Sequence, residues 1–303
     1  MVGKEQQFFG GDWTEEKLTR LQKYLNAYMT IFSKNPQAKY LTPIYVDAFA
    51  GTGYRAIKKE KTDESLFPEL MEIETTQFLK GSARIALDIK PPFTKYIFIE
   101  QDPEYQKELE YLKKDFSSIA NRIEILCGDA NKHLKTLCEQ TNWRKDRAVF
   151  FLDPYGMEVE WSTIEAIAAT QAADLWILFP LGVGVNRLLT RRHPPKDVWA
   201  DRLSIFFGTD SWKNEFYPKR TEVTLFGKEE VQQKEADWNK IEQYFIRRLE
   251  TTFAKVALNP LVLRNSKNVP IFLLCFAASN PRGTVAETAV HIAQYILRSS
   301  NGQ

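Results

Sequence analysis

The chain has 303 residues, 44% of them hydrophobic and 26% charged, with a net charge of +2. That length suits one large α/β domain, or a domain with an appendage, around a real apolar core. No apolar run is long enough to cross a bilayer, so a membrane span is not expected, and the near-neutral charge neither requires nor excludes nucleic acid.

The first residues lack the apolar stretch of a secretory signal, so a cytoplasmic setting is expected. Cys127, Cys138 and Cys275 are isolated in sequence. An odd, sparse set of this kind is not a disulfide framework. His133, His193 and His291 lie far apart and no CxxC occurs, so no metal site is expected.

In chain order, Asp12 or Thr14 can cap a first helix, with Leu18, Leu21, Leu25, Tyr28 and Met29 as its apolar face. Ile44 to Phe49 reads as a buried strand. Arg55 to Lys80 is charged, contains Pro68 and reads as an insertion. Gly81-Ser82 opens a helix through Leu87. Tyr96–Glu100 is a second strand, Pro103 to Asp115 a helix, and Arg122–Cys127 a third strand that ends at Gly128-Asp129. A helix follows over Ala130–Gln140. Ala148–Asp153 is a fourth, almost wholly apolar strand, of the kind covered on both faces.

Trp161 to Thr170 is helical, and Asp174–Phe179 is a fifth strand. Leu181 to Pro218 reads as irregular and partly basic, and Lys228 to Phe253 as one long helix. Its face of Trp238, Ile241, Tyr244, Phe245 and Leu249 is a packing face. Val269–Ala278 is a strongly apolar strand, and Val285–Leu297 the last helix. The expected organisation is a helical segment at 1–40 packed on the sheet and a core at 41–180. A helical or irregular insertion at 181–260 follows strand 5, as a substrate or partner surface, and a strand and helix at 261–303 complete the core.

Alternating strands and helices predict an α/β fold: a Rossmann-like, doubly wound, mostly parallel sheet. Ligands of such sheets sit beyond the carboxyl ends of the strands. Four strand ends therefore matter. In Asp47-Ala48-Phe49-Ala50-Gly51-Thr52-Gly53, small residues permit a sharp turn and close approach to a ligand. The amides around Phe49, Ala50, Gly51 and Gly53 can hold a carboxylate, and Asp47 an amino group. Glu100, with Gln101 beside it, can accept from two ribose hydroxyls, or can serve the helix that opens at Pro103. Asp129 and Ala130 can meet an adenine amino group, or Asp129 can simply cap its helix.

The fourth end is Asp153-Pro154-Tyr155-Gly156. Asp153 can accept from a target amine, Pro154 stiffens the loop, and Tyr155 can stack on a planar substrate, so catalysis would be positioning and electrostatics. The plain alternative is a Pro-Gly turn with a capping aspartate. After strand 5, Arg187, Arg191 and Arg192, with Lys196, can hold phosphates while Trp199 and Trp212 stack bases. The alternative is a solvated loop with its tryptophans packed on the body. Nucleic acid is thus one candidate partner.

The strand-end motifs resemble those of class I S-adenosylmethionine-dependent methyltransferases. More narrowly, the sequence resembles the three-Cys-motif partner protein family, TcmP. The matching pieces are Gly11-Asp12-Trp13-Thr14-Glu15-Glu16-Lys17-Leu18, Asp47 to Gly53, Gly81-Ser82-Ala83, Phe98-Ile99-Glu100, Phe151 to Gly156 and Leu178-Phe179-Pro180-Leu181-Gly182. The resemblance implies a methyltransferase-type fold with S-adenosylmethionine as cofactor. It also implies pairing with a separate three-Cys-motif protein, and the cysteines in that name belong to the partner. The loop after strand 4 departs from the amino-methyltransferase pattern, because its second proline is absent and its aromatic sits one place early. The expected function is transfer of a methyl group to an amino group of nucleic acid or protein. The alternatives are a non-catalytic partner-binding module and a metal-dependent nuclease that uses Asp47, Glu100, Asp129 and Asp153.

Overall fold

The predicted alternation of strand and helix is realised in a computed structural model that describes residues 12–51, 81–154, 156–224 and 227–298. Gly53, Tyr155 and the Arg55–Lys80 insertion lie outside those residues. The first half of the chain comprises α1 (Asp12–Lys34), β1 (Thr42–Asp47), α2 (Ser82–Asp88), β2 (Lys95–Glu100) and α3 (Pro103–Asp115). It continues through β3 (Ile123–Cys127), α4 (Ala130–Gln140), β4 (Asp146–Leu152), α5 (Trp161–Ala169) and β5 (Ala173–Phe179). A π-helical turn at Leu181–Val185 leads to α6 (Asp197–Phe207), α7 (Ser211–Phe216), β6 (Lys219–Thr224), β7 (Gly227–Gln232) and α8 (Trp238–Glu250). Last come β8 (Lys255–Val256), β9 (Leu261–Arg264), β10 (Pro270–Ala278) and α9 (Gly283–Arg298).

The main sheet runs β3-β2-β1-β4-β5-β10-β8, with β9 also paired to β10. β1 to β5 are mutually parallel and β10 is antiparallel to β5. β8 and β9 lie antiparallel to β10 at its two ends and act as one interrupted edge strand. This is the doubly wound, mostly parallel Rossmann-like arrangement. The chain moves outward from β1 to β3, then returns to β4 on the other side of β1. That reversal puts a crevice beyond the carboxyl ends of β1 and β4.

The same reversal sends helices to both faces. Tyr45, Phe98, Val149, Phe151, Trp176 and Leu178 face one apolar cluster with α1, α2, α3 and α9. Val46, Ile97, Phe150, Leu152, Ile177 and Phe179 face the other, with α4, α5, α6, α7 and α8. The alternation follows from the two-residue period of a strand. All nine residues of β10 are buried, as a strand flanked by strands and helices requires.

Two expectations for the insertion need correction. The long helix from Lys228 to Phe253 does not form: β7 pairs with β6 as an antiparallel hairpin, and the helix begins only at Trp238. Asp237 stops it from extending backwards, because its carboxylate caps the helix by accepting from Lys240 N–H at 2.8 Å. Pairing with β6 thus overrides the helix preference of the Lys- and Glu-rich stretch. The segment from Leu181 to Pro218 is also far from irregular, holding the π turn and two helices. The Phe206, Phe207 and Phe245 rings of α6 and α8 gather around Phe179, with Phe179 and Phe245 stacked at 4.1 Å. Each fully buried ring of this size is worth roughly 1.5–3 kcal/mol, so the insertion is part of the core and not an appendage resting on it.

Candidate functional site

Asp47 is the last residue of β1, where the sheet reverses, and it is wholly buried. The Tyr45 hydroxyl donates to its Oδ2 at 3.1 Å, while Oδ1 is buried with no hydrogen-bond partner among the described residues. Burial pushes this carboxyl up to about 7; the Ser82 hydroxyl opposes the rise, the charge of nearby Asp153 adds to it, and the Tyr45 hydroxyl and Phe49 N–H oppose it. A buried carboxylate oxygen without a donor is costly, and such atoms call for a specific explanation.

The turn after β1 is tied into the sheet. Ala48 N–H donates to Phe151 O and Ala50 N–H to Ile99 O, both at 3.2 Å. Phe49 packs partly buried on the α5 side. Gly51 has φ +58°, and apart from its chain neighbours no described residue has an atom within 4 Å of the place a Cβ would occupy. The turn thus needs a residue at ease in left-handed backbone, and among the described residues no side chain crowds it. Gly51 N–H donates to Glu100 Oε2 at 2.9 Å, and Asp102 N–H donates to Glu100 Oε1 at 2.8 Å. Glu100 therefore splints the ends of β1 and β2 and the start of α3. Each oxygen of a carboxylate has two lone-pair sites, so both can still accept from a ligand hydroxyl.

Gln101 beside it is exposed, in a bend. Asp102 caps α3 through Glu104 N–H at 2.9 Å. Gly128 N–H donates to Glu100 O at 3.1 Å, which brings the third strand end alongside the second. Asp129 accepts from Lys132 N–H at 2.8 Å as the N-cap of α4, and Ala130 is the buried first residue of that helix. The capping role read from the sequence as an alternative is present; only Oδ1 is used for it.

The fourth end holds a group that sequence reasoning missed. The Lys17 ammonium donates to Asp153 Oδ2 at 2.5 Å, and the two side chains are 5% and 18% exposed. The same ammonium lies 4.9 Å from the centre of the Trp13 ring. Lys17 is four residues after Trp13 and four before Leu21, within the apolar stripe of α1. A lysine on the buried face of a helix is the signal that could have found it. Asp153 is thus already paired at one oxygen. Pro154 is buried beside it.

Arg191 and Arg192 are exposed, as is Arg187. Their segment grows from the carboxyl end of β5 and meets the loop after β4. A Cβ built on Gly184 would lie 3.1 Å from Met157 Cγ. Lys234 N–H donates to Arg191 O at 3.0 Å, and its ammonium to Asn186 Oδ1 at 2.6 Å. Burial, then the nearby Arg191 charge, lower the pKa of Lys234, which adds a second unforeseen cation to this region. Of the two tryptophans read as base platforms, Trp199 is 46% exposed but Trp212 is fully buried. Trp212 belongs to the core, with its ring against Phe216 and its N–H donating to Ser204 Oγ at 3.1 Å.

No family model and no curated protein matches the chain. Among solved structures it is similar to a protein of Legionella pneumophila, at 16% identity and a TM-score of 0.45, over 94% of both chains. It is similar to magnesium protoporphyrin IX methyltransferase of Synechocystis with bound SAH, at 12% identity and a TM-score of 0.36, over 92% of this chain and 89% of that one. It is also similar to the glycopeptide N-methyltransferase MtfA complexed with sinefungin, at 9% identity and a TM-score of 0.33, over 91% and 89%. At such distances the architecture rests on the strand order itself. Among the described residues no helix is long and apolar enough to cross a membrane, and no three His, Cys, Asp or Glu side chains gather as metal ligands.

Proposed function

We propose that this chain is an S-adenosylmethionine-dependent methyltransferase acting on an amino group. The observation that carries the reading is the fully buried Asp47 Oδ1 at the switch point of the sheet, which has no partner among the described residues. It is an acceptor in need of a cationic or polar donor, as the ammonium of a methionyl group would be. The open left-handed turn at Gly51 gives backbone room beside it. Glu100 retains acceptor capacity for two ribose hydroxyls, and Asp129 Oδ2 is not used by its cap bond. These residues fit the cofactor, which when bound supplies an electrophilic methyl group.

The chain's own part is to bind, orient and hold protons. Asp47, Phe49, Ala50, Gly51 and Gly53 take the methionyl end, Glu100 and Gln101 the ribose, and Asp129 and Ala130 the adenine. Asp153, Pro154 and Tyr155 position the acceptor amine. Because Lys17 occupies Oδ2 of Asp153, the amine would bond Oδ1. Arg187, Arg191 and Arg192 form the acceptor surface and suit nucleic acid; a protein acceptor is the other class. The three-Cys-motif protein is the proposed partner, on the strength of the sequence resemblance.

Calorimetry with S-adenosylmethionine should give saturable binding that Asp47→Asn weakens by tenfold or more, roughly the effect of one charged hydrogen bond. Unchanged affinity in that variant would sink the site assignment. Labelled cofactor offered with RNA, DNA and protein fractions, with and without the partner, reads out transfer. The Lys17 contact with Asp153 also favours a second reading, a partner-binding module with no transfer to any fraction.

A further inference from the structure

At the opposite end of the sheet from Asp153, three connections meet: the loop from α4 to β4, the turn from α5 to β5, and the loop from β10 to α9. They surround an open hollow of about 450 Å³ that Arg144, Arg147 and Arg282 line. The amides of Asn142, Gln171 and Asn280 line it too, and no carboxylate does. None of the three arginines has an ion pair among the described residues. Three guanidinium groups without an ion pair share one hollow, so the cluster favours an anion between them.

The hollow is held in shape before any ligand arrives. Half-buried Arg147 donates from Nη1 to Trp143 O at 2.8 Å and to Asp146 O at 2.7 Å. Trp143 N–H of the indole donates to Cys138 O at 2.7 Å, which pins the loop to the end of α4. Asn142 Oδ1 accepts from Arg144 N–H at 3.2 Å, and Asn280 Oδ1 from Arg282 N–H at 3.0 Å. Both amides therefore keep their NH₂ donors for other use. Gln171 sits at φ 53°, a tight turn held by its neighbours. The first turn of α9, a helix of 16 residues, starts directly after Arg282 and adds the positive end of its dipole. Guanidinium forks match phosphate oxygens in geometry as well as charge.

We propose that this hollow, formed by Arg144, Arg147 and Arg282 at the amino ends of β4 and β5, is a phosphate-binding site separate from the methyl-transfer site. Its ligand carries two or more phosphate charges. The phosphates come either from a free small molecule or from a nucleic-acid backbone. The inference does not depend on methyl transfer.

The test uses the full chain and the exposed pair Arg144→Ala/Arg282→Ala, which carry no core packing. Inorganic pyrophosphate is the first probe, chosen because it lacks the adenosine that the proposed cofactor site would take. Calorimetry should show pyrophosphate binding to the wild type and a loss of about tenfold or more in the double variant, the scale of one lost charge-assisted hydrogen bond. The melting temperature and the affinity for S-adenosylhomocysteine should not move. A 20-nucleotide single strand, titrated in parallel, identifies the source. If its affinity falls with that of pyrophosphate, the site holds a nucleic-acid backbone; if it stays, the site serves a small phosphate, and either result supports the site. Arg191→Ala/Arg192→Ala reports separately on the basic segment after β5. Equal pyrophosphate binding by wild type and double variant, or binding by neither, overturns the proposal.

Discussion

Among individual residues, Lys17 alters the reading of the site most. Its ammonium is nearly buried and its partner, Asp153, is only 18% exposed. Removing one member of such a pair strands the other, at a cost of about 3–5 kcal/mol, whereas replacing both can be close to neutral. Asp153→Asn and Lys17→Met should each lower stability by roughly 2–4 kcal/mol, and the double variant should recover much of it. Urea unfolding of the four proteins measures this; strictly additive losses would show that the contact carries no coupling. Asp153 was legible in the sequence because it ends an apolar strand. Its pairing with Lys17 was not, because the two residues are 136 positions apart. Glu100 is a similar case. Its place at a strand end was readable, but its bonds to Gly51 and Asp102 N–H were not, since they depend on how β1 and β2 are registered.

Single elements show which local signals carried weight. The parallel strands were readable from apolar runs, and the start of α4 from the aspartate that caps it. The β6–β7 hairpin was not, because charged, helix-favouring residues form it and its stability comes from pairing. The end of α6 offers a sharp test of packing between elements. Gly208 closes that helix at φ +67°, and a Cβ there would fall 2.2 Å from Trp161 Cδ1. Trp161 itself is buried and lies under Arg248, 4.5 Å from the guanidinium. Gly208→Ala therefore combines left-handed strain with an overlap that Trp161 has no room to relieve. It should cost roughly 2–4 kcal/mol. Thermal unfolding checks the value, and a loss under about 1 kcal/mol, the strain alone, would show that α5 and α6 can separate. Trp212 teaches the same lesson: its neighbours in sequence suggested a surface platform, and the packing of α7 on α8 buried it.

In the whole molecule, burial of two carboxyls couples fold to proton and ligand. Burial raises Asp47 from its ordinary 3.8 to about 7 and Asp174 from 3.8 to about 6, with the Tyr24 hydroxyl bond to Asp174 opposing. A carboxyl whose folded value is raised holds its proton in the native state while the unfolded chain has released it. The native state then binds more protons between the two values, so stability is fully present below about pH 4 for these groups and is lost as pH rises to about 7. The protein without ligand should therefore melt several degrees lower at pH 8 than at pH 5, and Asp47→Asn/Asp174→Asn should flatten that slope. Differential scanning calorimetry across pH reads it directly; the same slope in the double variant would assign it to other groups. Under the proposed function the ionised form of Asp47 receives the ligand's ammonium, so cofactor affinity should rise over the same interval. What the sequence determined by itself was the five parallel strands and β10, the α/β class and the strand ends that carry Asp47, Glu100, Asp129 and Asp153. Those features are local, written in apolar runs and in the residues that stop them. The tertiary structure alone decided that Lys17 reaches Asp153, that Asp47 Oδ1 meets no donor among the described residues, that Trp212 is core, and that Arg144 and Arg147 share one hollow with Arg282. Each of those facts is a distance between segments remote in sequence, set by the order and register of the sheet and by the helices packed on its two faces.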